Sequence, residues 1–262
     1  MLDYEKSLTW GYLVNGKEKR ILIIRISMIK INSHSKSQSY DQQEQAILLR
    51  LRQYWQNQPP LNQWNPSISS SHCTWPGVSC TNSYVSGLDF SNMNIAGQIP
   101  PFICDLDNLT VLDFFNNSFI GMFPVVLFNC SKLQYLNLSQ NFFVGFIPDD
   151  IDRFTRLSSL NLSGNNFTGN FPAAIGRLQQ LKELQFDQNL FNGTFPPEIG
   201  NLSNLERLSM AYNGFLPSRL PSNFTQLKKL KWFWISEANL IGEIPENYRR
   251  YGGTGALGFS KK

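Results

Sequence analysis

A leucine frame that returns every 24 residues restricts this chain to very few architectures. Leu109, Leu133, Leu157, Leu181 and Leu205 open successive units at that spacing, Val85 stands one period earlier, and Leu230 follows after 25 residues. Self-similarity at such a period marks a solenoid, in which each unit buries its apolar face only by stacking on its neighbours. Within a unit the frame reads Leu109-x-x-Leu112-x-Phe114-x-x-Asn117-x-Phe119-x-Gly121-x-Phe123-Pro124. It recurs as Leu133, Leu136, Leu138, Asn141, Phe143, Gly145, Ile147, Pro148, and again from Leu157 and from Leu181. Seven units are expected over residues 85–246, with Met93 and Ala238 replacing the asparagine in the first and last.

The frame predicts its own local structure. Alternation in Leu-x-x-Leu-x-Leu turns every second side chain inward over a short strand, so each unit adds one strand to a parallel sheet. The asparagine turns the chain away from that strand, and its amide satisfies backbone groups buried between coils, each of which would otherwise cost about 1–3 kcal/mol. A ladder of Asn117, Asn141, Asn165, Asn189 and Asn213 is therefore expected. Ten residues into each unit an apolar side chain (Ile95, Phe119, Phe143, Phe167, Phe191, Phe215, Leu240) predicts a continuous buried column. The Gly-x-Ile/Phe-Pro segment makes a bend, and short helical turns are expected on the return arm.

Residues 41–84 have the composition of an end cap. Asp41 with Glu44 has the spacing of a helix start, and Ile47, Leu48, Leu51 and Trp55 fall on one helical face that closes the first coil together with Trp64 and Trp75. Cys73 and Cys80 have disulfide spacing, which implies an oxidising compartment. Cys104 and Cys130 fall at different offsets in successive units, so two buried thiols are expected there, a bridge being the alternative. With His34 and His72 the only histidines, neither a metal site nor a cofactor is expected. Residues 1–40 read as an atypical leader or disordered tail: the apolar run Ile21 to Ile31 is broken by Arg25 and Lys30, a poor secretory signal core and too short and charged to cross a bilayer. Residues 247–262 are Gly-rich and carry no second cap, so the array reads as truncated.

Charge and motifs exclude other classes. The net charge of +4 resides entirely in residues 1–40, with 7 Lys and Arg against 3 Asp and Glu, while the remainder is balanced at 16 against 16. No nucleic-acid partner is expected without a concentrated basic face. Gly253-x-Gly255-x-x-Gly258 spells a dinucleotide fingerprint, but no strand leads into it and too few residues follow for the helix it needs. No metalloprotease, serine-hydrolase or phosphate-loop motif is present, so the expectation is a binding module and not an enzyme.

Gly-x-Ile-Pro units at this period, behind a Cys73-x-Trp75-x-Gly77-Val78-x-Cys80 cap, resemble the ectodomains of plant leucine-rich-repeat receptor-like kinases over residues 41 to 246. Pro101-Phe-Ile-Cys-Asp-Leu106, Phe128-Asn-Cys-Ser-Lys-Leu133 and Glu237-Ala-Asn-Leu-Ile-Gly-Glu-Ile-Pro245 bring it nearest to the HAESA-like receptors. The resemblance implies an α/β solenoid: a right-handed superhelix with its parallel sheet on the concave face and a helical amino-terminal cap. It further implies a secreted peptide ligand, a leucine-rich-repeat co-receptor kinase as partner of the full-length relative, and a place at the plasma membrane or in the apoplast. A cell-wall defence protein of the polygalacturonase-inhibitor type, or a non-functional truncated product, is the alternative.

Residues between the inward leucines face out from the sheet and so become the candidate ligand contacts: Asp113, Phe115, Tyr135, Asn137, Glu183, Asp187, Arg207, Tyr212, Trp232 and Trp234. Aromatics beside Arg and Asp are what a peptide groove uses for anchoring and orientation. Nine Asn-x-Ser/Thr triplets occur, and Asn108, Asn129, Asn192, Asn201 and Asn223 are the favoured glycan sites, with Asn129, Asn201 and Asn223 the most accessible.

Overall fold

The computed structural model describes residues 8–9, 23–24, 33–56 and 58–242. The truncated tail expected at 247–262, and most of the expected leader at 1–40, lie outside them. By its contacts the chain divides into two units, residues 1–40 and 41–262. In the first, Leu8–Thr9 pairs antiparallel with Ile23–Ile24.

In the second, the 24-residue frame becomes an eight-stranded sheet. Seven of its strands run parallel: Tyr84–Asp89, Val111–Asp113, Tyr135–Asn137, Ser159–Asn161, Glu183–Gln185, Arg207–Ser209 and Trp232–Trp234. Each step has the register of the repeat, as in Leu136 beside Leu160 and Leu160 beside Leu184. The last step is 25 residues, Leu208 beside Phe233, which absorbs the extra residue of the sixth unit. The eighth strand, Val78–Thr81, pairs antiparallel with the first and ends the sheet on the cap side.

The asparagine ladder forms as expected. Asn141 and Asn165 are representative: the Asn165 Nδ2 donates to the carbonyls of Leu138 (2.9 Å), Leu162 (3.1 Å) and Ser163 (3.3 Å), and its Oδ1 accepts the Phe143 N–H at 3.1 Å. Asn141 does the same for Phe114, Leu138, Ser139 and Phe119. Each amide thus spans two coils and satisfies four backbone groups that the fold removes from water. Beneath it, Phe119, Phe143 and Phe167 stack with centroids 6.4 and 6.1 Å apart and rings within 4° of parallel. The column resumes with Phe191 and Phe215 at 6.5 Å.

A second sheet of five strands, Ala96–Gly97, Ser118–Gly121, Phe142–Gly145, Asn166–Gly169 and Leu190–Phe191, was not expected from the frame. Four of its strands follow Asn117, Asn141, Asn165 and Asn189, and their buried positions are the phenylalanines of the column. The short helical turns of the return arm are present as 3-10 turns such as Ala173–Arg177 and Pro197–Asn201.

Two expectations at the cap and one coil on are corrected. The helix runs Ser33–Tyr54, so Asp41 lies within it and does not cap it. Glu44 instead is buried and accepts the Val85 N–H at 2.9 Å, tying the helix to the first coil. His72, fully buried, lies 3.2 Å from Asp41 and 3.4 Å from Glu44. The apolar face of the helix is buried as expected, and Trp55 and Trp64 donate to the carbonyls of Gln98 and Pro76. Cys73 and Cys80 are bonded. So are Cys104 and Cys130, where thiols were expected: the 3-10 turns Pro101–Asp105 and Val125–Asn129 stack on adjacent coils and bring the two Cα atoms to 4.8 Å despite their different offsets.

Two stability predictions result. Asn165→Ala leaves the buried Phe143 N–H without a partner, while the carbonyls of Leu138, Leu162 and Ser163 keep Asn141, Asn189 and the Gln140 N–H as donors, so it should cost roughly 1–3 kcal/mol in denaturant unfolding, the scale of one orphaned group. Replacing both Cys104 and Cys130 by Ser should cost about 3–4 kcal/mol, from the loop-closure entropy of a bridge of sequence separation 26.

Candidate ligand-binding site

The solvent side of the eight-stranded sheet carries two distinct clusters. The first is polar and lies across the strands Val111–Asp113, Tyr135–Asn137 and Ser159–Asn161 to Glu183. Asp113 Oδ2 accepts the Tyr135 hydroxyl at 3.0 Å and the Asn137 Nδ2 at 3.2 Å, while its Oδ1 accepts the Phe115 N–H at 2.8 Å. Ser159 donates to Glu183 at 3.2 Å. Burial of the phenol, then the adjacent Asp113 carboxylate and its hydrogen bond, push Tyr135 up to about 12, Glu183 adding to the effect and Asn137 opposing it. Tyr135 is therefore a fixed hydrogen-bond donor at physiological pH, with its proton committed to Asp113.

The second cluster is aromatic and cationic. Tyr212 and Trp234 meet edge to face at 5.5 Å, and Trp232 and Trp234 lie 6.2 Å apart. The Arg207 guanidinium lies 5.1 Å from the Trp232 ring centre, within cation–π range. Trp234 Nε1 donates to Ser236 at 3.2 Å, which holds the indole in place. Tyr212 has a left-handed backbone, φ 50°, and the residue is 46% exposed beside Trp234.

Of the ten candidate contacts, the structure brings Tyr212, Trp232, Trp234 and Arg207 together at one end, and Asp113, Tyr135 and Asn137 together towards the other. Phe115 is exposed between the sheet and the asparagine turn. Two candidates are corrected. Asn137 and Asp187 are each only 7% exposed. Asn137 Oδ1 accepts from the backbone and hydroxyl of Ser139, and Asp187 accepts the Ser163 hydroxyl at 2.7 Å, so both belong to the packing between coils and not to a free surface. The Ser163–Asp187 and Ser159–Glu183 bonds, each one period apart, were missed; adding 24 to a serine position would have found them.

Glycan candidates also separate. Asn129 and Asn201 are exposed. Asn223 is only half-exposed, and its Nδ2 is engaged by the Pro197 carbonyl at 2.6 Å, so it is not among the accessible sites. Asn108 accepts from Lys132, and the exposed Asn192 accepts the Gly169 N–H. The trio His72, Cys73 and Cys80 lies within 4.8 Å, but its sulfurs are bonded to each other and offer no thiolate to a metal.

The model of the leucine-rich-repeat N-terminal domain matches residues 41–81, and that of the leucine-rich repeat matches 107–167 and 155–215, together more than half of the chain. The chain belongs to the leucine-rich-repeat family. Its cap and repeats are of the plant receptor-kinase ectodomain type. The leucine-rich repeat receptor protein kinase EMS1 of Arabidopsis thaliana is 38% identical over 66 residues, 25% of this chain but only 6% of that protein. The ectodomain of the Arabidopsis receptor kinase HAESA, solved with an extended IDA peptide hormone, superposes with a TM-score of 0.76 at 32% identity, covering 81% of this chain and 36% of that one. The HAESA complex with IDA and the co-receptor SERK1 gives 0.74 at 33% identity, covering 79% and 36%. This leucine-rich-repeat chain thus spans a small part of the length of these relatives. Among its described residues no helix is long and apolar enough to cross a membrane.

The raised Tyr135 value gives a spectroscopic test. A folded value above the ordinary 10.0 means that the contribution to stability is fully present below pH 10 and is lost as pH rises towards about 12. In a titration of phenolate formation resolved to single residues, Tyr135 should ionise well above 10.0, towards about 12. Asp113→Asn should bring it down; an unchanged value in that variant contradicts the role given to Asp113.

Proposed function

We propose that this chain is the extracellular ligand-binding part of a plant leucine-rich-repeat receptor kinase, that it takes a secreted peptide on the solvent side of its eight-stranded sheet, and that it binds without catalysing a reaction. The observation that carries the reading is the Arg207, Tyr212, Trp232 and Trp234 cluster on that face. Tryptophan, tyrosine and arginine are the residue types that concentrate binding energy in protein–peptide contacts, the aromatics through large rigid surfaces at low entropic cost and arginine through its planar charged fork. The likeness to the HAESA ectodomain solved with a peptide hormone supports a peptide as the ligand class. The polar cluster of Asp113 and Glu183 holds its acceptor oxygens in place, where they would take N–H groups of an extended main chain. A leucine-rich-repeat co-receptor kinase is proposed as the partner, on the likeness to the HAESA complex that contains SERK1. Two disulfides agree with an extracellular site of action.

The experiment is capture of peptides from plant extracellular fluid on the immobilised chain, followed by calorimetric titration of those recovered. Arg207→Ala and the double variant Trp232→Ala, Trp234→Ala should each weaken the recovered peptide by roughly 30-fold or more, the scale of a hot-spot truncation of about 2 kcal/mol. Peptides that bind these variants as tightly as the parent overturn the reading, as does a fluid rich in secreted peptides from which none is retained.

A further inference from the structure

The solvent face of the second sheet is apolar where a soluble surface should be polar. Ile120 and Phe142 lie side by side in register, 52% and 55% exposed, and Val144 follows two residues on. Met122 packs against Gly145, Phe146 lies over Gly169, and Leu190 is paired in register with Thr168. Ile120, Met122, Phe142, Val144 and Phe146 form one strip on two adjacent coils, Leu190 lies beyond the coil of Asn166 and Thr168, and an exposed apolar strip on a soluble chain marks a surface that something covers.

The outward positions of that intervening coil are polar. Asn166 pairs in register with Val144, and since Phe167 is buried, Asn166 and Thr168 point out of the same face as Phe142 and Val144. Asn166-Phe-Thr168 is a glycan acceptor triplet. Asn166 is exposed, and its side-chain amide has no hydrogen bond among the described residues, whereas those of Asn116, Asn137 and Asn223 donate to Asn92, Asp113 and Pro197. Its left-hand neighbour in the sheet is apolar, and the return-arm candidates Asn129 and Asn201 are not part of this face.

We propose that Asn166 is an N-glycosylation site whose proximal sugars lie over Val144, Phe142 and Phe146 and cover the apolar strip. The inference rests on the extracellular reading above. The Asn166 Nδ2 gains a bond to C1 of an oligosaccharide supplied on a lipid diphosphate carrier and gives up one proton. The C1–O bond to the carrier breaks, and the lipid diphosphate departs. The C–H face of the first pyranose is apolar and complementary to the phenyl and isopropyl groups beside it, while its hydroxyls turn to water, so one attachment converts an adhesive face into a solvated one. The occupant is fixed by its covalent root beside Val144, at the edge of the strip.

The test is to secrete the full chain from a plant host behind a host leader, map its glycopeptides by mass spectrometry, and compare it with Asn166→Gln and with Thr168→Ala, which leaves the amide in place but removes the acceptor signal. Most secreted molecules should carry a glycan at Asn166. Both variants, and the folded wild type after enzymatic removal of its glycans, should bind an apolar-surface dye several-fold more strongly and self-associate in light scattering. Removal from the folded protein keeps the test independent of whether the variants fold. Asn166 found bare on a protein glycosylated at Asn129 or Asn201 overturns the proposal while leaving the receptor reading intact. Enzymatic removal that changes neither dye binding nor association overturns the covering role.

Discussion

The four-bonded asparagine amide is the contact on which this structure depends. A solenoid coil must leave its strand and turn, and that turn hides backbone N–H and C=O groups between coils where no water reaches them. One amide, with two donors and an acceptor, meets several such groups on its own coil and on its neighbour. Repetition of that solution at Asn117, Asn141, Asn165, Asn189 and Asn213 fixes the spacing and register of the coils. Everything else follows from that fixed spacing: the stacking of the phenylalanines, the alignment of the eight-stranded sheet and the second sheet beside it.

The same spacing arranges the sheet face. Because each strand is repeated 24 residues on in the parallel stretch, residues at equal offsets become lateral neighbours, and chemistry chosen in one coil is placed beside chemistry chosen in the next. Asp113, Tyr135 and Asn137 acquire their hydrogen bonds in this way, as do Ser159 with Glu183 and Ser163 with Asp187. The buried frame can stay constant while the exposed offsets vary, which is how one scaffold can present different ligand faces.

Much of this was legible in the residues because the frame carries its own physics. The period, the inward leucines, the amide ladder and the phenylalanine column each follow from alternation or from the need to satisfy buried polar groups, and all four are present, although the column is fully buried only from Ile95 to Phe215 and Leu240 at its end is half-buried. What escaped depends on the distance between coils, which a sequence does not print. The Cys104–Cys130 bridge was masked by unequal offsets that stacked turns reconcile. The second sheet was masked because its strands are two to four residues long and lie in the segment read only as a column and a bend. Asn137 and Asp187 occupy outward offsets, yet serines one coil or two residues away draw them into the packing. Asp41 had the spacing of a helix start but not the position, since the helix begins at Ser33.

The most direct measurement is amide hydrogen exchange on the intact chain, resolved to single residues. The Phe119, Phe143, Phe167 and Phe191 N–H groups are donated to side chains and not to a strand partner. If the amide ladder holds the coils together, these four should exchange with the slowest class, opening only with the global transition. Exchange of these protons at the rate of the outer turns, while the eight-stranded sheet stays protected, would contradict the central place given to the asparagines.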